Sequence, residues 1–230
     1  MHIHYMCMCV CVCTSRCVRA AGSMARRSPA NKVRLAQLGL CEQIVPLFRS
    51  YGGVALTQAA AAGSMMGLME ALCWCIGQLG HPDRANQDRL GRAGAGEVVC
   101  AALHRAARED AGQGEVAVPG FESQCLSLLE EALRALHSLA RSHPRNAQLL
   151  FQWAPSDDDG DGGGGGGDGQ LCVTLTCLLR RHRARSAVLQ WIWFAVGSLC
   201  ADLTFLARFG QLHICELAVD ALVRSGLPSP

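Results

Sequence analysis

The densest acidic stretch, DDDGDGGGGGGDG at 157–169, has the residue types of a cation site. Asp157, Asp159 and Asp161 alternate, Gly162 follows, and Asp168 closes the run. That is the D-x-D-x-D-G order of a calcium loop, in which alternating carboxylates converge on a hard ion. Two features work against the ion. Asp168 stands where a longer Glu would grip with both oxygens, and Gly164 stands where an apolar residue is normal. Six consecutive glycines make ordering entropically expensive, so residues 155–169 read as a flexible acidic linker.

Other candidate chemistry fares similarly. His2, His4 and the cysteines Cys7, Cys9, Cys11, Cys13 and Cys17 are metal-ligand types. Their C-x-C spacing is not the paired C-x-x-C of structural zinc. Alternating Cys and Val is also what a TG dinucleotide tract encodes, so residues 1–28 read as a disordered or mispredicted Cys-rich leader. An acid-poor, Arg-bearing start also suits an organelle transit peptide. RRHRAR at 180–185 is the densest basic run. It offers phosphate contacts, but cations at a helix C-terminus are favourable without any partner. Cys73 and Cys75 stand two apart on a helix and point in different directions. HExxH, Walker, GxSxG and paired-carboxylate patterns are missing from the sequence. The expectation is a non-enzyme with no cofactor and no metal.

Composition sets the elements that position these residues. The chain has 230 residues, is 50% hydrophobic and 17% charged, and carries a formal net charge of +2. It is large enough for a sizeable core. It lacks the strong basic excess of a nucleic-acid binder. Ala and Leu are abundant, aromatics are only 5%, and no alternating Val/Ile/Thr run appears, so the fold class is all-α. The apolar stretch 187–201 is shorter than the roughly 20 residues that span a bilayer, so no membrane partner is expected. Nine further cysteines scattered through apolar stretches suit buried reduced thiols. They point to a reducing compartment, read as cytoplasmic, with nuclear or organellar placement as alternatives.

A repeated nonapeptide organises the chain. NKVRLAQLG at 31–39 returns as NQDRLGRAG at 86–94. An Asn, a Leu four residues later and a Gly eight later align as Asn31, Leu35, Gly39 and as Asn86, Leu90, Gly94. Asn146 and Leu150 follow, with Ala154 in the Gly place, and then Asp202, Leu206 and Gly210. The spacings of 55, 60 and 56 are the mark of a solenoid. Asn or Asp suits a helix start, the Leu faces the core, and Gly takes the left-handed stop. A second helical pattern follows each block, and a third then reads EALCWCIGQL at 70–79, EALRALHSL at 131–139 and VLQWIWFAVGSL at 188–199. Insertions at 51–67, 109–123 and 154–169 read as loop, where added length is tolerated.

Short helix, Gly turn, second helix and third helix together resemble the armadillo repeat. The wording N31KVRLAQLGLCE42 and N86QDRLGRAGAGE97 is similar to divergent armadillo arrays, including the armadillo segments of leucine-rich-repeat kinases. The resemblance implies a right-handed armadillo-like α-solenoid, an α-α superhelix with long inter-helix loops, over residues 29–226. It would hold about three repeats and a partial fourth, with 227–230 as a tail. It also implies a protein partner, held on a concave face by the third helices. The residues that match its ladder are Trp74 with Gln78 and Arg134 with Ser138, while Phe194 with Ser198 reads as packing. The function so implied is a protein–protein interaction scaffold. The alternative is a regulatory armadillo segment, or a fragment, of a larger multidomain enzyme such as a kinase.

Overall fold

The structure is a computed structural model, and it describes residues 2–52, 59–112, 121–154, 169–183 and 185–224. The acidic linker up to Asp168 (155–168) and the tail 227–230 lie outside the described residues, as do 53–58 and 113–120. Among the described residues there are twelve helices and no strand. They are α1 (His2–Ala25), α2 (Pro29–Gln37), α3 (Leu40–Gly52), α4 (Ala59–Gly80), α5 (Arg84–Arg92) and α6 (Ala95–Gly112). There follow α7 (Phe121–Ala140), α8 (Pro144–Phe151), α9 (Gln170–Arg181), α10 (Ser186–Leu199), α11 (Leu203–Gln211) and α12 (Ile214–Arg224).

Helices of like position pack on one another. The long, mostly apolar α1, α4, α7 and α10 form one succession, each against the next. The short α2, α5 and α8 form a second, and α3, α6, α9 and α12 a third. α11 joins through the Phe205 ring, edge-on to Phe151 of α8 at 5.0 Å. The buried core follows α4 and α7, with Leu72, Ile76, Leu128 and Leu136 sealed from water. None of the described helices is long and apolar enough to cross a membrane.

The short helices start on a cap that the Asn alignment misses. Ser28, Asp83 and Asp202 are the N-caps, and each side chain accepts a backbone N–H of the first turn. His143 does the same for α8, its Nδ1 accepting from the Asn146 N–H at 3.3 Å. Pro29 and Pro144 follow their caps directly, where a missing N–H does no harm. Asn31, Asn86 and Asn146 therefore lie inside the first turn and do not cap it. Their side-chain amides donate backward to the carbonyls of Met24 (2.9 Å), Leu79 (3.2 Å) and Leu139 (3.1 Å). Each clamps its short helix to the end of the preceding long one.

The caps shift the register of the last copy. Counted from Asp202 as a cap, Phe205 takes the place of the Asn and Phe209 the place of the Leu. Both phenylalanines are buried, whereas Leu206 is 50% exposed. Gly210 lies within α11 and lacks a positive φ, and the left-handed residue is His213 at φ +61°. Gly39 and Gly94 do take that conformation, at φ +84°. Leu90 and Leu150 are buried and Leu35 is half-buried.

Ala154 is likewise not the third Gly. The Gly39 N–H donates to the Ala36 carbonyl and the Gly94 N–H to Gly91. The Gly169 N–H makes the matching bond to Phe151 at 2.9 Å, with φ +88°. The acidic insertion thus enters between the short helix and its own stop.

Two further expectations change. Residues 59–67 open α4, with Met65 and Met66 buried, and 109–112 and 121–123 belong to α6 and α7. The leader runs as α1 and packs along α4. Val18, Gly22 and Ala25 share one face of it, and their small size permits a close approach. Arg19 pairs there with Glu70 at 2.7 Å.

Candidate functional site

The long helices and their outgoing turns line a groove of about 900 Å³. α4 contributes Gly77, Gln78 and then His81, α7 contributes Glu131, Arg134, His137 and Ser138 and then Arg141, and α10 contributes Trp191, Phe194 and Ser198. Arg26 and Arg27 reach it from the turn after α1, and Lys32 from α2.

Three of the four residues singled out from the sequence meet in this groove. Gln78 is half-buried on its wall. Arg134 is held by Glu131 at 2.8 Å and Glu130 at 3.9 Å, and its guanidinium lies 4.7 Å from the Trp191 ring centre. Ser138 is only 5% exposed, and its carbonyl accepts from Gln87 Nε2 at 2.6 Å. It shapes the wall more than it offers a hydroxyl. Trp74 does not line the groove. Its ring lies over Gly22, where a Cβ would stand 2.4 Å from a ring carbon, so it packs α4 against α1. Phe194, read as packing, is 45% exposed at the groove.

Residues outside the third-helix rows complete the site. Lys32 Nζ donates to the His81 carbonyl, and Arg141 Nη1 meets His81 Nε2 at 3.0 Å. The His81 and His137 rings stack with centroids 6.2 Å apart. His137 Nδ1 lies 3.2 Å from the Phe194 carbonyl and 2.6 Å from Ser198 Oγ. Burial, and then Arg141, lower the pKa of His81, and burial lowers that of His137. Both are therefore neutral imidazoles at pH 7. Burial raises the Glu131 carboxyl, with Arg134 opposing the shift. Glu131 Oε2 has no hydrogen-bond partner. A cap register would have found part of this set, because His81 and Arg141 occupy the same place before Asp83 and His143.

A larger cavity of about 1170 Å³ lies on the side of α3, α6 and α8. Its charges are partly consumed internally: Arg49 pairs with Glu97 at 2.8 Å and Arg105 with Glu109 at 3.7 Å. The smaller groove is the better site, since Arg26, Arg27 and Arg141 line it with no carboxylate partner among the described residues.

Compared with family models, curated proteins and solved structures, the chain matches none of them.

Proposed function

We propose that this chain is a non-enzymatic protein–protein interaction scaffold of the armadillo-like, right-handed α-solenoid class. Its partner would lie along the face built by α1, α4, α7 and α10. The observation that carries the reading is the groove itself: one continuous concavity joins residues of the like-positioned α4, α7 and α10 and of the turns that leave α1, α4, α7 and α10. Recurrence of the cap, the backward amide clamp and the left-handed stop supports the repeat assignment. Cys41, Cys73, Cys75, Cys100, Cys125 and Cys172 are buried, which fits the reducing, cytoplasmic setting.

Gly197 gives the test. It lines the groove, and a Cβ built on it meets nothing within 4 Å. Gly197→Trp should fill the groove without disturbing the core. Peptides selected by display on the unmodified chain should lose binding to this variant. Undiminished binding, with the helical signal intact by circular dichroism, would remove the groove from consideration.

A further inference from the structure

The groove is electrically lopsided. Toward α1 it carries Arg26, Arg27 and, through the His81 cluster, Lys32 and Arg141. Toward α10 it carries Trp191, Trp193 and Phe194. The one carboxylate that lines it among the described residues, Glu131, is already engaged through Oε1 by Arg134. Neutral His81 and His137 add nothing to the cationic end, so the excess rests on Lys32 and on the three arginines, which hold their charge at any accessible pH. Low-dielectric walls around like charges focus their field on whatever enters.

Resting on the scaffold reading above, we infer that the groove takes an extended protein segment with acidic side chains at one end and apolar side chains at the other. The acidic end lies against Arg26, Arg27 and Arg141, and the apolar end lies against Trp193 and Phe194. A single nucleic-acid strand fits less well, although cations and aromatics are its usual partners. Its phosphates come at every step, and midway the track would meet the Glu131 carboxylate. Trp191 is also not free for base stacking, because the Arg134 guanidinium covers it. A peptide can separate charge from apolar surface as this groove does.

The test uses fluorescence anisotropy with three probes on the full chain. They are a glutamate-rich peptide ending in phenylalanine and leucine, the same peptide with lysine for glutamate, and a uridine oligonucleotide. The glutamate peptide should bind best and weaken as salt rises. The double variant Arg26→Glu, Arg141→Glu changes two exposed side chains, so the fold should survive. It should weaken the glutamate peptide by about tenfold or more, since two attractions become repulsions. Gly197→Trp should abolish binding. A lysine peptide that binds as well, an oligonucleotide that binds more tightly, or no binding of the glutamate peptide overturns the inference. If display peptides without acidic residues still depend on an open Gly197, the scaffold reading stands and the acidic preference alone fails. Glutamate-peptide binding indifferent to both variants sinks the two together.

Discussion

Asn146 Nδ2 donates to the Gln87 carbonyl at 3.1 Å, tying α8 to α5 across two copies of the repeat. The same amide reaches the Leu139 carbonyl at 3.1 Å, and the residue is buried. Asn146→Ala would leave two buried carbonyls short of a donor. The expected loss is about 1–3 kcal/mol in urea unfolding. Asn31 is exposed and makes one such bond, so Asn31→Ala should lose about 1 kcal/mol or less. Equal losses at the two sites would mean that the cross-repeat bond contributes nothing.

Gly91 sits inside α5, where alanine normally stabilises a helix by about 1 kcal/mol. Here a Cβ would stand 1.9 Å from Asn146 Oδ1, and that side chain is pinned by its two bonds. Gly91→Ala is therefore expected to destabilise. Combined with Asn146→Ala it should recover part of the loss, giving a non-additive double-mutant cycle. Strict additivity would show that the contact is relieved some other way.

The last copy separates the two possible registers. Leu206→Ala removes a half-exposed side chain and should change stability by no more than about 0.5 kcal/mol. Phe209→Ala opens a sealed site and should lose about 3–5 kcal/mol. Leu90→Ala and Leu150→Ala, both buried, should lose about 2–5 kcal/mol. A large loss at Leu206 with little at Phe209 would restore the Asn-based alignment.

In three copies the Asn keeps a fixed distance from both the cap and the core Leu, so aligning on Asn finds the Leu correctly. In the fourth, Asp202 is itself the cap, so matching it to the Asn displaces the frame by about one helical turn. A turn keeps an apolar residue roughly in phase, so Leu206 looked acceptable while Phe209 held the core. Gly169 was hidden by the insertion that separates it from Phe151. The helical leader was hidden because small residues and cysteines mask its packing face. Within the groove, Gln78 and Arg134 are reached by the row-by-row matching of third helices that the armadillo resemblance implies. His81, Arg141, Arg26 and Arg27 sit in the turns beyond the helices, where a row-by-row comparison of third helices does not look.

The thiols should divide sharply by burial. Cys41 and Cys125 are pushed up to about 11, and Cys75 and Cys172 to about 12, all mainly by burial. Burial drives Cys73 and Cys100 higher still. Cys13, Cys17, Cys177 and Cys215 are exposed. Brief alkylation of the native chain near pH 8, read by peptide mass mapping, should label these four and spare the six buried thiols. Rapid native labelling of Cys73 or Cys100 would show that the α4–α6–α7 packing opens readily.

Acid should weaken the fold through the two stacked imidazoles. Burial is the main cause of the lowered pKa at both His81 and His137, and the Arg141 guanidinium adds to it. Their folded values thus lie below the ordinary 6.5. As pH falls past 6.5, the unfolded chain takes up these protons first, so unfolding is favoured. The stabilisation is complete above that point and is lost through the window down to the folded values. Glu131 acts in the opposite sense, because burial raises its carboxyl and the folded form is protonated first. His182, likewise lowered by burial, loses its stabilisation in the same direction as the two imidazoles. A comparison between about pH 7.5 and about pH 6 is therefore read as the difference between the unmodified chain and a variant lacking the two imidazoles. The melting temperature should fall across that interval, and the fall should shrink in His81→Gln, His137→Gln. An unchanged slope in the double variant would place the acid sensitivity elsewhere in the molecule.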